Sequence, residues 1–216
     1  MFVEDMIFVK GVIRKPVYDE KRAKFLDGYL GEHEDPLTGF SRHTDEFTFI
    51  ADYAKCTGGP ILELACGAGR IMRALARLGY EVYGIDASRP MLNRGMQAKQ
   101  ELPKEVQDRI HFIQSDMRSF KLKTVFPFII IPFNSFWYNL NERGAVDCLQ
   151  SIMSHLAYGG FFFIDSATLY SPNNLLFFHS YSKRLGFDFT TPVYSGSSPR
   201  CLVGRHSNSV GDLRKD

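Results

Sequence analysis

Short apolar runs bounded by glycine, proline and small polar residues alternate along this chain with stretches whose apolar positions fall every three or four residues. The runs predict strands near residues 60–65, 81–85, 110–114, 128–132 and 160–165. Between them, Ile71, Leu75 and Leu78 form one stripe at helical spacing, and Ala145, Leu149, Ile152 and Leu156 form another; both stripes are expected in the core. Phe47, Ile50, Ala51 and Ala54 repeat at the same period and predict a helix packed ahead of the first strand. Near the end, residues 187–194 and 200–205 bracket Ser195-Gly196-Ser197-Ser198-Pro199, which reads as two strands joined by a loop. Elements alternating in this way predict a parallel α/β sheet covered by helices on both faces. Residues 1–40 are harder to read, and residues 207–216 are polar and read as a disordered tail.

The chemistry begins at Ile61-Leu62-Glu63-Leu64-Ala65-Cys66-Gly67-Ala68-Gly69-Arg70, an apolar strand that runs through a glycine turn into a helical pattern. Gly67 and Gly69 lack a Cβ, so the backbone can turn sharply and a ligand can approach it closely. Asp86 follows the second strand and Asp116 the third, so with Glu63 three acids are associated with three successive strands. A dinucleotide fingerprint needs a third glycine three residues after Gly69, and that position is Met72. Glu63 would repel a pyrophosphate but suits a cationic ligand, or it can hold the loop through backbone amides. S-adenosylmethionine is a cation without a phosphate.

From these residues the chain, over roughly 40–206, resembles the class I S-adenosylmethionine-dependent methyltransferases of the small-molecule type. The resemblance implies a Rossmann-like, doubly wound, mostly parallel seven-stranded sheet with an antiparallel closing strand. It also implies transfer of a sulfonium methyl group to an acceptor, an activity of the EC 2.1.1 kind. Glu63, Ala65, Cys66, Gly67 and Gly69 are similar to the family's first motif. Asp86 matches its ribose-binding acid, for which two vicinal hydroxyls donating to two carboxylate oxygens supply the chemical reason. Asp116 matches the acid that accepts from the adenine amino group, and Ala87, Met91 and Met117 would flank the ring. Phe133 joins the cofactor-contacting set. Tyr18, in an N-terminal segment expected over residues 1–40, would fold over the methionine end. Ser88 is an expected N-cap and Pro90 fits a first helical turn. Leu156 to Asp165 looks like the family's helix, glycine pair and fifth strand, and is read as scaffold. Asn134, Trp137 and Tyr138, after the fourth strand, are the substrate-facing candidates, with Trp137 or Tyr138 able to present a ring face to a cation.

Composition narrows the partners. The 216 residues are 44% apolar, enough for one sizeable core, which makes residues 41–206 a single expected domain. Lysine and arginine number 26 against 24 acids, so charge makes no case for nucleic acid as an obligatory partner, and a small-molecule acceptor is favoured. Cys56, Cys66, Cys148 and Cys201 form no C-x-x-C pair, and the six histidines are scattered; reduced thiols, no metal, and a soluble cytoplasmic protein without a membrane span are the expectation. Two departures from the family concern the substrate side. The loop from Ser166 to Pro172 leaves little room for the usual capping insertion, and Pro127 replaces a common aspartate. A partner subunit, such as a second copy, a mobile N-terminus or a large substrate would then complete the lid. The alternatives are a non-catalytic cofactor-binding subunit and an RNA or protein methyltransferase.

Overall fold

The computed structural model describes residues 45–139 and 141–165, the segments 187–195 and 198–206, and residues 8–9 and 12–13. The last two form strands β1 (Phe8–Val9) and β2 (Val12–Ile13), paired antiparallel in a sheet of their own. The main run is α1 (Asp45–Thr57), β3 (Ile61–Leu64), α2 (Arg70–Arg77), β4 (Val82–Asp86), α3 (Arg89–Gln100), α4 (Lys104–Gln107), β5 (Ile110–Gln114), β6 (Phe126–Ile131), a 3-10 turn (Ser135–Asn139), α5 (Glu142–His155), β7 (Leu156–Asp165), β8 (Phe187–Ser195) and β9 (Ser198–His206). Seven of these strands form one sheet in the order β5-β4-β3-β6-β7-β9-β8. Strands β3 to β7 pair in parallel, and β9 runs antiparallel between β7 and β8. The expected fold, including the closing strand near residues 200–205, is therefore the observed one.

Alternation along each strand explains why both faces are covered. Ile61, Phe128, Ile130 and Phe163 point into one core with Ile50 and Ala54 of α1 and Ile71, Met72 and Leu75 of α2. Their neighbours Leu62, Leu64, Ile129, Ile131, Phe162 and Ile164 point into the other, with Ala145, Cys148, Leu149 and Ile152 of α5. A strand buried on both sides reads as a continuous apolar run, which is why Phe128-Ile129-Ile130-Ile131 is unbroken. Each such side chain contributes about 1.5–3 kcal/mol by leaving water.

Two stripe residues depart from expectation. Leu78 is 55% exposed because α2 ends at Arg77 and the chain turns through Gly79 at φ 98°. Leu156 is buried, but as the first residue of β7, since its ψ of 125° has already left the helix. Strand β6 starts two residues earlier than expected and contains Pro127, where the ladder to β7 shifts register between Phe126 and Phe128; a residue without an N–H is tolerated at such a bulge. Met72, which occupies the third-glycine position, is fully buried, and the space it needs comes from β4: a Cβ on Gly84 would lie 2.2 Å from the Met72 sulfur. Close packing of helix on strand is kept, with the small residue moved to the strand.

The sheet reverses its direction of growth between β3 and β6, so their carboxyl ends flank the switch point where open α/β sheets bind ligands.

Candidate active site

After β3 the backbone turns through three left-handed residues, Ala65 (φ 57°), Gly67 (φ 56°) and Gly69 (φ 74°). The amide of Cys66 donates to the Ile85 carbonyl at 3.0 Å, and that of Gly69 to the Cys66 carbonyl at 2.9 Å, which closes the turn. Arg73 Nη1 donates to the Ala68 carbonyl at 2.7 Å and fastens the loop to α2. A Cβ on Gly69 would meet the Phe112 ring at 2.5 Å, so glycine is required here by space as well as by φ.

Asp86 ties this loop to the next one. Its Oδ2 accepts from the Gly67 amide at 2.8 Å and its Oδ1 from the Ser88 amide at 2.7 Å, while its carbonyl accepts from Ser115 at 3.1 Å. Three loops, after β3, β4 and β5, thus meet at one residue, the first two at its half-buried carboxylate and the third at its backbone carbonyl. Ser88 caps α3 as expected, its Oγ accepting from the Met91 amide at 3.4 Å, and Pro90 lies in the first turn. Met91 is buried against the glycine loop, its methyl 3.0 Å from where a Gly67 Cβ would lie, and Ala87 is exposed beside it. Glu63 is only 3% exposed, within β3. Burial first, then the charges of Glu63 and Asp86, push the Cys66 thiol well above its ordinary range, so it remains a neutral small residue of the loop.

Asp116 and Met117 follow β5 and are half-buried, but the Asp116 carboxylate has a partner that the sequence reading lacked. Arg118 donates to it from its backbone amide at 2.9 Å and through Nε at 2.9 and 3.1 Å, with Nη2 completing a forked ion pair. That carboxylate raises the guanidinium further above its already high range. Met117 packs partly against the core on the α5 side.

The edge after β6 is built differently. Phe133 (φ 55°) and Asn134 (φ 58°) are successive non-glycine residues in the left-handed region, at a cost of roughly 1–2 kcal/mol per residue. The Phe133 ring is 44% exposed and lies under the Arg70 guanidinium, 4.4 Å from the ring centroid. Asn134 is half-buried; Trp137 and Tyr138 lie in the 3-10 turn beyond it, also half-buried. Phe136 is fully buried and Trp137 packs edge-on against it at 5.5 Å, so Trp137 is shared between the core and the site edge.

Arg70 and Asp165 are the residues here that the sequence reading passed over. Asp165 closes β7 and is 9% exposed; it was legible as a further acid at a strand end, like Asp86. Tyr18, the loop from Ser166 to Pro172, most of the N-terminal segment and the tail 207–216 lie outside the described residues. Of the histidines, His155 is buried, its Nε2 accepting from the Leu122 amide at 2.9 Å and its Nδ1 2.7 Å from the Ser151 carbonyl, a packing role. Among the described residues, no group of three or more histidine, cysteine or acidic side chains is placed to hold a metal, and no helix is long and apolar enough to cross a membrane.

Residues 61–160 match the family model of the methyltransferase domain. The cypemycin N-terminal methyltransferase of a Streptomyces species is 29% identical over 117 residues, 54% of this chain and 45% of that protein. The putative methyltransferase YqeM of Bacillus subtilis (strain 168) is 31% identical over 137 residues, 59% of this chain and 53% of its own. The chain thus spans about half the length of the curated relatives it matches. Among solved structures, the CcbJ methyltransferase of Streptomyces caelestis superposes with a TM-score of 0.69 at 16% identity, over 88% of this chain and 100% of that one. The glycopeptide N-methyltransferase MtfA complexed with S-adenosylmethionine gives 0.62 at 23% identity, over 77% and 95%. Through residues 61–160, which match the methyltransferase-domain model, and through its strand-turn-helix glycine loop and sheet order, this chain is similar to the class I S-adenosylmethionine-dependent methyltransferases.

Proposed function

We propose that the chain binds S-adenosylmethionine at the carboxyl edge of β3, β4 and β5 and methylates a small-molecule or peptide-type acceptor presented by the turn after β6. The observation that carries the reading is Asp86, a half-buried carboxylate beside the glycine loop, fixed by two backbone amides. Two vicinal hydroxyls donating to the two oxygens of one carboxylate make short charge-assisted bonds, which suits Asp86 to a ribose. The donor set suits the cofactor: acids at strand ends, a loop with glycines where the backbone is approached, and Met72 where a dinucleotide site needs glycine.

In this reading Gly67, Gly69 and Ala65 give close backbone approach, Asp86 orients the ribose, Ala87, Met91 and Met117 line the base, and Asp116 accepts from its amino group once the Arg118 fork yields one of its bonds. Phe133 lies between the two halves of the site, and Glu63 supplies negative charge beneath the loop. Bound S-adenosylmethionine supplies an electrophilic methyl group. The protein's share is alignment, which supplies about 7–11 kcal/mol of barrier lowering without a dedicated base. Asn134, Trp137 and Tyr138 hold the acceptor. The similarity to a relative named as an N-terminal methyltransferase supports an amine as one acceptor class to try first.

The test is transfer of radiolabelled methyl from S-adenosylmethionine to a panel of small amines, peptides with free amino termini and phenols, with Asp86→Ala as control. Transfer by the wild-type chain that the variant lacks supports the reading. Binding of the cofactor without transfer to any acceptor, until a second subunit is added, would replace it with the partner-subunit alternative.

A further inference from the structure

Strand β7 ends in an acid that the methyl-transfer reading does not use. Ile164 lies opposite Ile131, so Asp165 stands beside the point where the chain leaves β6. Its Oδ2 accepts from the Phe133 amide at 3.1 Å and its carbonyl accepts from the Asn134 amide at 3.2 Å. Two successive amides, belonging to the two left-handed residues, are thus received by one residue of the neighbouring strand. Non-glycine residues persist in that conformation only where their surroundings over-determine it. The Arg70 guanidinium over the Phe133 ring adds a second constraint, from α2. Beyond the turn, the Asn134 carbonyl accepts from the Trp137 amide at 3.1 Å, so the conformation is passed on to the aromatic residues of the 3-10 turn.

We infer that Asp165 is a positioning residue for the acceptor side of the site: it clamps the Phe133–Asn134 turn and, through it, sets the placement of Asn134 and Trp137. Its role in methyl transfer rests on the function proposed above; the clamp itself rests on geometry alone. The donor side is held by a separate set of bonds, Asp86 to Gly67 and Ser88. Loss of the clamp should therefore disturb the acceptor edge, Phe133 included, and leave the Asp86 side of the cofactor edge in place, where most of the cofactor contacts lie.

The chain holds a single tryptophan, Trp137, so its fluorescence reports on this turn without interference. Full-length Asp165→Ala and Asp165→Asn are compared with wild type by acrylamide quenching of Trp137 and by calorimetry with S-adenosylhomocysteine. In Asp165→Ala the quenching constant rises about twofold or more as the turn loosens, whereas the S-adenosylhomocysteine affinity stays within about threefold. Asp165→Asn keeps a side-chain oxygen able to accept from the Phe133 amide, and its quenching stays near wild type. With an acceptor from the methylation panel, kcat/KM falls about tenfold or more in Asp165→Ala and recovers partly in Asp165→Asn. Unchanged quenching in Asp165→Ala overturns the clamp. A loss of S-adenosylhomocysteine affinity in step with Tm overturns the positioning role in favour of general scaffolding. If wild type itself fails to bind S-adenosylhomocysteine, the methyl-transfer reading falls and the quenching comparison still decides the clamp.

Discussion

On the β3–β4 side of the sheet edge two of the three left-handed turn residues are glycines, Gly67 and Gly69, for which that conformation costs little, whereas on the β6–β7 side the chain turns at Phe133 and Asn134. The first side is a loop whose own sequence makes it turn, locked by one carboxylate, Asp86. The second is a strained turn held from outside, by Asp165 below and Arg70 across the ring. Under the proposed function the contrast suits two tasks: the cofactor is met by a mostly glycine-built backbone cradle, with Ala65 its one strained residue, while the acceptor is met by side chains on a turn that a few distant residues can re-aim.

The largest expected effect breaks the donor side. Asp86→Ala removes the acceptor for two loop amides and the proposed ribose contacts together, and S-adenosylhomocysteine affinity measured by calorimetry should fall about 100-fold or more. Next comes the packing beneath the loop. Gly84→Ala places a methyl 2.2 Å from the Met72 sulfur, and chemical denaturation should show a loss of about 1–3 kcal/mol. Combining it with Met72→Ala should cost less than the sum of the single changes, because each relieves the other's misfit.

A thiol on each side sharpens the comparison. Cys66 belongs to the donor loop and Cys148 to α5 behind the acceptor turn; burial pushes the first well above its ordinary range and the second up to about 12. A folded-state pKa raised in this way favours folding at neutral pH, and that stability is lost as pH rises through the folded value. From about pH 9 toward 12 the Cys148 thiol alone should lower stability by about 1.4 kcal/mol per unit of pH. With Ellman's reagent at mildly alkaline pH, exposed Cys56 should react while Cys66 and Cys148 stay protected until unfolding. Early reaction of Cys66 would mean that the donor loop opens and is not the rigid cradle described. The smallest effect is on strain: Phe133→Asn puts a residue tolerant of left-handed φ at that position and should raise Tm by a few degrees, equivalent to up to about 1 kcal/mol, while lowering turnover. A lower Tm would show that the ring's contact with Arg70 outweighs the strain.

The same contrast governs what could be read from sequence. The glycine loop, Asp86, the Ser88 cap and the two-faced core were legible because each is written in neighbouring residues: a turn needs glycine where it occurs, a cap sits at its own helix, and a doubly buried strand is apolar throughout. The acceptor turn was not, since its conformation depends on Asp165, 32 residues away along the chain, and on Arg70 from another element. Asp116 reads from its strand end as a cofactor contact, and its Arg118 partner, two residues on, is visible only in three dimensions. Helical stripes overran by one residue at Leu78 and Leu156, because a stripe records spacing and not the φ and ψ that end a helix. Leu156 kept its burial in the adjoining strand; Leu78, beside Gly79, did not.

The most direct test of the account is calorimetric titration of the purified chain with S-adenosylmethionine and S-adenosylhomocysteine, with NAD as the control. Binding in the micromolar range to one or both, no response to NAD, and loss of binding in Asp86→Ala are expected. Equal binding of NAD, or cofactor binding that Asp86→Ala leaves unchanged, would contradict it.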